Sequence, residues 1–126
     1  MTIIRAAEAP VFNAPGSTFK AYAAPSRGAD QVSLWCVELA PGTTSPLHHM
    51  DCEEVFFGLA GRAVATVAGQ PHTLEAGDCL ILPAGTDFTL HVAEAGEPFR
   101  AIACMPSGGQ ATMVPEGITV APPWAQ

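Results

Sequence analysis

Short apolar segments separated by glycine and proline limit what this chain can fold into. Twelve glycines and twelve prolines are spread over 126 residues, and they separate apolar runs such as QVSLWCVELA (31–40), CLILP (79–83) and FRAIACM (99–105). No apolar period of about 3.6 residues persists over three turns, so helix is a minor component. Short strands with turns at intervals of about eight to twelve residues predict an all-β sandwich or barrel.

Composition narrows the possible partners and location. A chain of 126 residues with 48% hydrophobic and 13% charged residues is expected to form a single domain, residues 1–126, with a real core. A net charge of −7 repels phosphate backbones and anionic lipid, so we expect no nucleic-acid or membrane partner. The first residues, MTIIRAAEAP, lack a signal-peptide pattern, and no run approaches the roughly 20 apolar residues of a membrane span. The expected location is cytoplasmic.

The stretch PGTTSPLHHMDCEEVFFGLAG (41–61) combines two histidines and three carboxylates with an apolar run. Its spacing resembles the first motif of the cupin family. That motif has a glycine, then two histidines separated by one residue, then a glutamate and a second glycine. Gly42, His48, Glu54 and Gly61 fill four of these positions, and Met50 stands at the second histidine.

The stretch GDCLILPAGTDF (77–88) is similar to the second cupin motif. Gly77, Pro83 and Gly85 match it, and Phe88 stands where the family has a histidine. The resemblance places the first motif at about 42–61 and the second at about 77–92. It implies a double-stranded β-helix, the small jelly-roll barrel of cupins. All four motif glycines, 42, 61, 77 and 85, are then expected at turns.

The resemblance assigns His48 and Glu54 to the metal site of the family. On a regular strand, His48, Met50, Cys52 and Glu54 have the same parity and face the barrel interior, while His49 faces away. Met50 then offers only a thioether, a soft ligand that suits copper(I) better than iron, manganese or zinc. With Phe88 in the fourth position, this set makes a poor site.

A β-bulge is the alternative, because His49 also lies at an acceptable spacing before Glu54. It would turn both imidazoles inward and give His48, His49 and Glu54, a set of the kind that holds non-haem iron. We therefore predict that a divalent ion (Fe, Mn, Ni, Zn or Cu) is weakly bound or absent, held by His48 and Glu54 with His49 or Met50. Without metal, burial raises the pKa of Glu54, and His48 with Glu54 could exchange protons.

Two functions follow, and the sequence does not decide between them. The first is an enzyme acting on a small molecule in the cavity near His48 and Glu54, by oxygenase-like or by isomerase- or lyase-like chemistry. The second is a non-catalytic cupin that binds or senses a small molecule. His72 and His91 are expected to face solvent.

The remaining expectations concern the cysteines and the assembly. The four cysteines, at 36, 52, 79 and 104, are expected to be buried free thiols. The Pro/Gly-rich tail is expected to pack across the barrel or onto a partner subunit through Trp124. The high apolar content, together with a tryptophan that is expected near the surface, predicts a homodimer.

Overall fold

The computed structural model describes all residues, Met1–Gln126, as twelve β-strands with two short 3-10 turns and no α-helix. The first sheet holds six strands in the spatial order β1 (Val11–Ala14), β2 (Ser17–Ala23), β3 (Val32–Leu39), β10 (Phe99–Pro106), β5 (Glu54–Ala60) and β8 (Cys79–Leu82). The second holds β12 (Thr119–Val120), β11 (Ala111–Met113), β4 (His48–Met50), β9 (Phe88–His91), β6 (Arg62–Val67) and β7 (Gln70–Glu75). The 3-10 turns are Pro25–Arg27 and Pro123–Ala125.

The chain passes repeatedly from one sheet to the other, as a jelly roll requires. All strand pairs are antiparallel. From β4 to β10 the chain alternates between the two sheets, except that β7 stays beside β6 in the same sheet. This arrangement confirms the predicted all-β double-sheet fold.

The core lies between the two sheets and follows from alternation along the strands. In β3 and β10, buried and less buried residues alternate, so that Trp35, Val37 and Leu39 of β3 face inward. Eighteen buried apolar residues from both sheets form one cluster. Phe88 and Phe99 are among its largest fully buried members.

Glycines occupy the sharp turns, as predicted. Gly42, Gly61, Gly77 and Gly85 all have positive φ, between 74° and 89°. At Gly61, which joins β5 of one sheet to β6 of the other, the carbonyl of Pro98 also lies where a Cβ atom would be. A side chain there would meet both an unfavourable φ and the backbone of the chain entering β10.

The C-terminal tail packs on its own barrel. The Trp124 ring stacks on Phe19, with centroids 3.6 Å apart and planes 3° from parallel, and lies 6.5 Å from the Trp35 ring. Ser33 Oγ donates a 2.8 Å hydrogen bond to the carbonyl of Ala125, and Arg27 Nη2 donates one of 2.9 Å to the carbonyl of Trp124. Of the two alternatives for the tail, the structure therefore has it across the barrel, and Trp124 offers no ground for a dimer.

The cysteines differ from the expectation of burial. All four are free, but Cys79 is exposed, and Cys36, Cys52 and Cys104 are only half-buried. Cys36, Cys79 and Cys104 lie on the outward side of their strands, which the short apolar runs of the sequence do not reveal.

Candidate functional site

A cavity of about 390 Å³ opens between the two sheets. Thirteen of its 22 lining residues are hydrophobic, and they include the core rings of Trp35, Phe56 and Phe88. Its other walls come from the segment before β4 and from the tail, including Trp124. Small-molecule sites are concave and mostly apolar with a few polar groups, and this cavity fits that description.

His48, Met50 and Glu54 all line the cavity, although two different sheets present them. His48 and Met50 lie on β4 of the second sheet, whereas Glu54 begins β5 of the first. The chain crosses from one sheet to the other at residues 51–53. The alternation of inward and outward side chains along the first strand of the motif therefore does not continue into the second. Cys52 lies in this crossing, next to Gly109, and does not line the cavity.

Glu54 is a buried acid in an apolar setting. Its residue is 4% exposed, and its Oε1 atom has no hydrogen-bond partner in the protein. Burial alone raises the pKa of Glu54 from 4.5 to about 8, because an ionised carboxylate loses its hydration there. At neutral pH Glu54 is therefore mainly protonated and can donate a hydrogen bond into the cavity.

His48 is held so that one ring nitrogen is free to accept a proton. Its Nδ1 lies 2.7 Å from the carbonyl oxygen of Pro46. Because a carbonyl oxygen only accepts, Nδ1 carries the proton and the neutral ring has its lone pair on Nε2. Burial lowers the pKa of His48, partly offset by that hydrogen bond, which favours the neutral ring. No hydrogen bond joins His48 to Glu54, so any proton exchange between them needs a molecule in the cavity.

Phe88 fills the position of the missing histidine. It pairs directly with His48 across β4 and β9, and the two rings lie 4.5 Å apart. The Phe56 ring lies 6.0 Å from the Phe88 ring. An apolar aromatic contact therefore stands where the second motif has its histidine.

His49 lies outside the cavity. Residues His48–Met50 pair in unbroken register with Met113–Ala111, so the strand is regular at the two histidines. The Nδ1 of His49 donates a 2.8 Å hydrogen bond to Oδ1 of Asp87. Of the two strand alternatives, the structure has the regular one, and it does not bring His49 together with His48 and Glu54.

The other predicted polar residues lie at the surface. His72 and Glu53 are exposed. His91 is exposed too, and its Nδ1 lies 2.7 Å from Thr44 Oγ1. Sequence reasoning missed Thr44 and Ser45 as lining residues, and missed Trp124, whose buried Nε1 has no partner. The only signal in the sequence for Trp124 was its position in the Pro-rich tail.

The side chains of the cavity do not fit a metal site. Nowhere does the protein gather three or more histidine, cysteine, aspartate or glutamate side chains in a group suited to a metal ion. The cavity offers one imidazole, two thioethers and one carboxyl group that burial keeps protonated. We therefore derive no chemistry through a metal.

Comparison with known families agrees with both motifs. The family described as the cupin domain matches residues 35–105, more than half of the chain. The chain belongs to the cupin family. The match runs from β3 to β10 and so contains both motifs and the cavity residues His48, Met50, Glu54 and Phe88.

A curated relative matches about half of this cupin. Auxin-binding protein 1 of Arabidopsis thaliana is 32% identical over 65 residues, which are 52% of this chain and 32% of that protein. The match thus spans about a third of the relative's length.

Solved structures share the fold. The polyketide cyclase RemF from Streptomyces resistomycificus has a TM-score of 0.74 at 18% identity, covering 84% of this chain and 79% of that one. KdgF from Halomonas sp. has a TM-score of 0.70 at 18% identity, covering 84% and 92%. A salicylate 1,2-dioxygenase from Pseudoaminobacter salicylatoxidans, solved with gentisate, has a TM-score of 0.70 at 22% identity, covering 84% and 31%. At these identities the likeness concerns the jelly-roll fold alone.

The chain contains no helix long and apolar enough to cross a lipid bilayer.

Proposed function

We propose that this cupin is a small-molecule enzyme that moves a proton within an organic substrate held in its cavity, in an isomerase- or lyase-like reaction. The observation that carries the proposal is Glu54, a protonated carboxyl group with an unpartnered oxygen in an apolar cavity that His48 also lines. Pairs of titratable groups held in different protonation states are typical of acid–base sites.

The two side chains have complementary roles. The free Nε2 of His48 accepts a proton from a carbon next to a carbonyl group, and the ring becomes an imidazolium. The Glu54 O–H donates a hydrogen bond to the carbonyl oxygen, where negative charge develops as the enol forms. Return of the proton to another carbon completes an isomerisation, and loss of a neighbouring leaving group completes an elimination. Positioned acids and bases of this kind contribute about 10²- to 10⁴-fold to rate.

Exchange of carbon-bound hydrogen tests the proposal without the natural substrate. The neutral ketone 2-tetralone is incubated in D₂O with the protein, and loss of its α-proton signal is followed by NMR. We expect exchange above the buffer rate, reduced about a hundredfold in His48→Gln. Glu54→Leu should lose more activity than Glu54→Gln, because the amide of glutamine still donates a hydrogen bond. His72→Gln is the matched control, since His72 is exposed and far from the cavity lining.

The second candidate is a binding protein without turnover. The absence of a hydrogen bond between His48 and Glu54, the apolar lining and the relative named for binding auxin favour it. Binding of 2-tetralone with no exchange above the buffer rate would select this candidate over the enzyme.

We further propose that this cupin is a homodimer that associates through the outer face of its first sheet. On this face, two rows of uncharged side chains cross four adjacent strands. One row is Leu34, Cys104, Val55 and Ile81, and the other is Cys36, Ile102, Phe57 and Cys79. Ile81 is 59% exposed and Phe57 44%, and the guanidinium of Arg100 borders the second row, with its Nη2 3.9 Å from Cys36 Sγ.

The lack of charge in the two rows supports a second copy as the partner. With strands about 4.8 Å wide and rows about 6.8 Å wide, two rows across four strands cover roughly 260 Å². A standard interface buries about 800 Å² per partner, so the rows would form its apolar centre. A second copy brings an equally uncharged face, whereas the rest of the surface carries the excess of acidic residues.

Other expectations stay predictions. Weak or absent metal, held by His48 and Glu54 with Met50, is supported by the poor ligand set of the cavity, whereas the hydrogen bond of His49 to Asp87 argues against a contribution from His49. A cytoplasmic location, and the lack of nucleic-acid and membrane partners, still depend on the sequence alone.

A further inference from the structure

The cavity contains no positive charge. The five lysine and arginine residues of the chain all lie outside its lining. Among the lining residues, only His48 and Glu54 are ionisable. The geometry above makes the first a neutral acceptor and leaves the second uncharged in an apolar setting.

The hydroxyl groups of the lining, on Ser17, Thr44 and Ser45, supply no positive charge. Thr44 Oγ1 lies 2.7 Å from His91 Nδ1, and Ser45 Oγ accepts a 2.8 Å hydrogen bond from the Leu90 N–H. An anion entering the cavity would lose its hydration and meet no counter-ion. Burying an unpaired charge costs several kcal/mol, on the order of the whole affinity of a weak ligand.

The remaining features describe what does fit. The aromatic walls and the volume of about 390 Å³ suit a molecule of one or two rings. The protonated carboxyl group of Glu54 can donate a hydrogen bond to a carbonyl or hydroxyl oxygen, and the free Nε2 of His48 can accept one from a hydroxyl or amide group.

We propose that the cavity selects uncharged, largely apolar molecules with a carbonyl or hydroxyl oxygen, and rejects carboxylates of the same shape. This inference rests on the proposed function, because it concerns the same cavity, and it names the class of substrate.

Matched probes that differ in charge test the proposal. We choose indole-3-acetamide against indole-3-acetate, 2-naphthaleneacetamide against 2-naphthaleneacetate, and phenylacetamide against phenylacetate. Affinities are measured by ligand-observed NMR titration at pH 6.5, where each acid is ionised. We expect each amide to bind at least about tenfold more tightly than its acid, a difference of about 1.4 kcal/mol. Equal or tighter binding of the acids would overturn the proposal, and so would failure of all three amides to bind.

A charge placed in the lining provides the converse test. Met113→Arg adds a cation to a half-buried lining position, and we expect it to reverse the preference toward the acids. Val11→Arg changes the net charge equally but lies at an exposed position outside the lining, so the preference for amides should remain. Reversal in both variants would mean that overall charge, not the cavity, decides, and would overturn the proposal.

The outcomes separate this inference from the proposed function. Preference for amides without exchange of 2-tetralone hydrogen would keep the inference and reject the enzyme. Exchange of 2-tetralone together with tighter binding of the acids would keep the enzyme and reject the inference.

Discussion

Glu54 is an acid that the folded protein keeps protonated. Between pH 4.5 and about 8, the unfolded chain ionises Glu54 while the folded chain retains the proton. Unfolding therefore releases a proton in this range, and the free energy of unfolding falls as pH rises. Below pH 4.5 both states hold the proton, and above pH 8 both have lost it, so the effect of pH levels off at each end.

Glu54→Gln should remove this loss of stability. We expect the variant to unfold with nearly the wild-type free energy at pH 4.5 and to be more stable than wild type by a few kcal/mol at pH 8, since each pKa unit corresponds to about 1.4 kcal/mol. The titration of His48 contributes equally to both proteins and cancels when their free energies of unfolding are subtracted. Urea unfolding at a series of pH values measures this difference in free energy.

Glu53→Gln is the control for that experiment. Glu53 is the exposed neighbour of Glu54, and its replacement should change stability by less than about 0.5 kcal/mol at any pH. A Glu54→Gln variant that gains nothing between pH 4.5 and 8 would show that the carboxyl group is ionised in the folded protein.

Residue spacing predicted some of the site and missed the rest for physical reasons. The motif spacing found His48, Met50, Glu54 and Phe88, which the structure places together, because glycine turns fix the register of the strands. The orientation of His49 depends on Asp87, 38 positions away, and no local pattern encodes that contact.

At the scale of elements, the first motif is two strands in two sheets. One of the two alternatives from the sequence was a single regular strand running from His48 to Glu54. The structure ends β4 at Met50 and starts β5 at Glu54. Pairing partners explain the break, because Asp51 hydrogen-bonds to the backbone N–H of Gln110 while the residues from Glu54 onward pair with β8. Long-range pairing of this kind cannot be read from residue order.

The turn at Gly61 should tolerate substitution less than the turn at Gly69. Both have positive φ, 74° and 80°, but the Pro98 backbone crowds only Gly61. We expect Gly69→Ala to cost about 1–2 kcal/mol for its backbone conformation, and Gly61→Ala to cost about 1–3 kcal/mol more, because the neighbouring strand must shift. Thermal and urea unfolding compare the two. Equal losses would mean that β10 moves aside freely.

At the scale of the whole molecule, we expect the uncharged rows to decide whether two copies associate. Phe57→Lys places a charge in the middle of the proposed interface, where it would be buried without a partner. We expect the wild-type protein to sediment as a dimer at micromolar concentration and Phe57→Lys to sediment as a monomer. The exposed thiol of Cys79 should react more slowly in the dimer than in the variant.

Ile118→Lys is the matched control for Phe57→Lys. Ile118 is 58% exposed but precedes β12 of the second sheet, away from the rows, so this variant should remain a dimer. A wild-type monomer, or a dimer that persists in Phe57→Lys, would exclude this face as the interface.

The uncharged sheet face also determines how ionic strength acts on this protein. Two copies that each carry a net charge of −7 repel one another, and the rows contribute no ion pair to offset that repulsion. Dissolved ions shorten the reach of such forces to about 10 Å at 0.1 M. Because added salt weakens the repulsion and breaks no ion pair in the rows, we expect the proposed dimer to tighten with salt, whereas an interface held by ion pairs would weaken. Binding of an uncharged molecule in the cavity does not depend on salt in this way. A salt titration therefore distinguishes dimer formation from ligand binding.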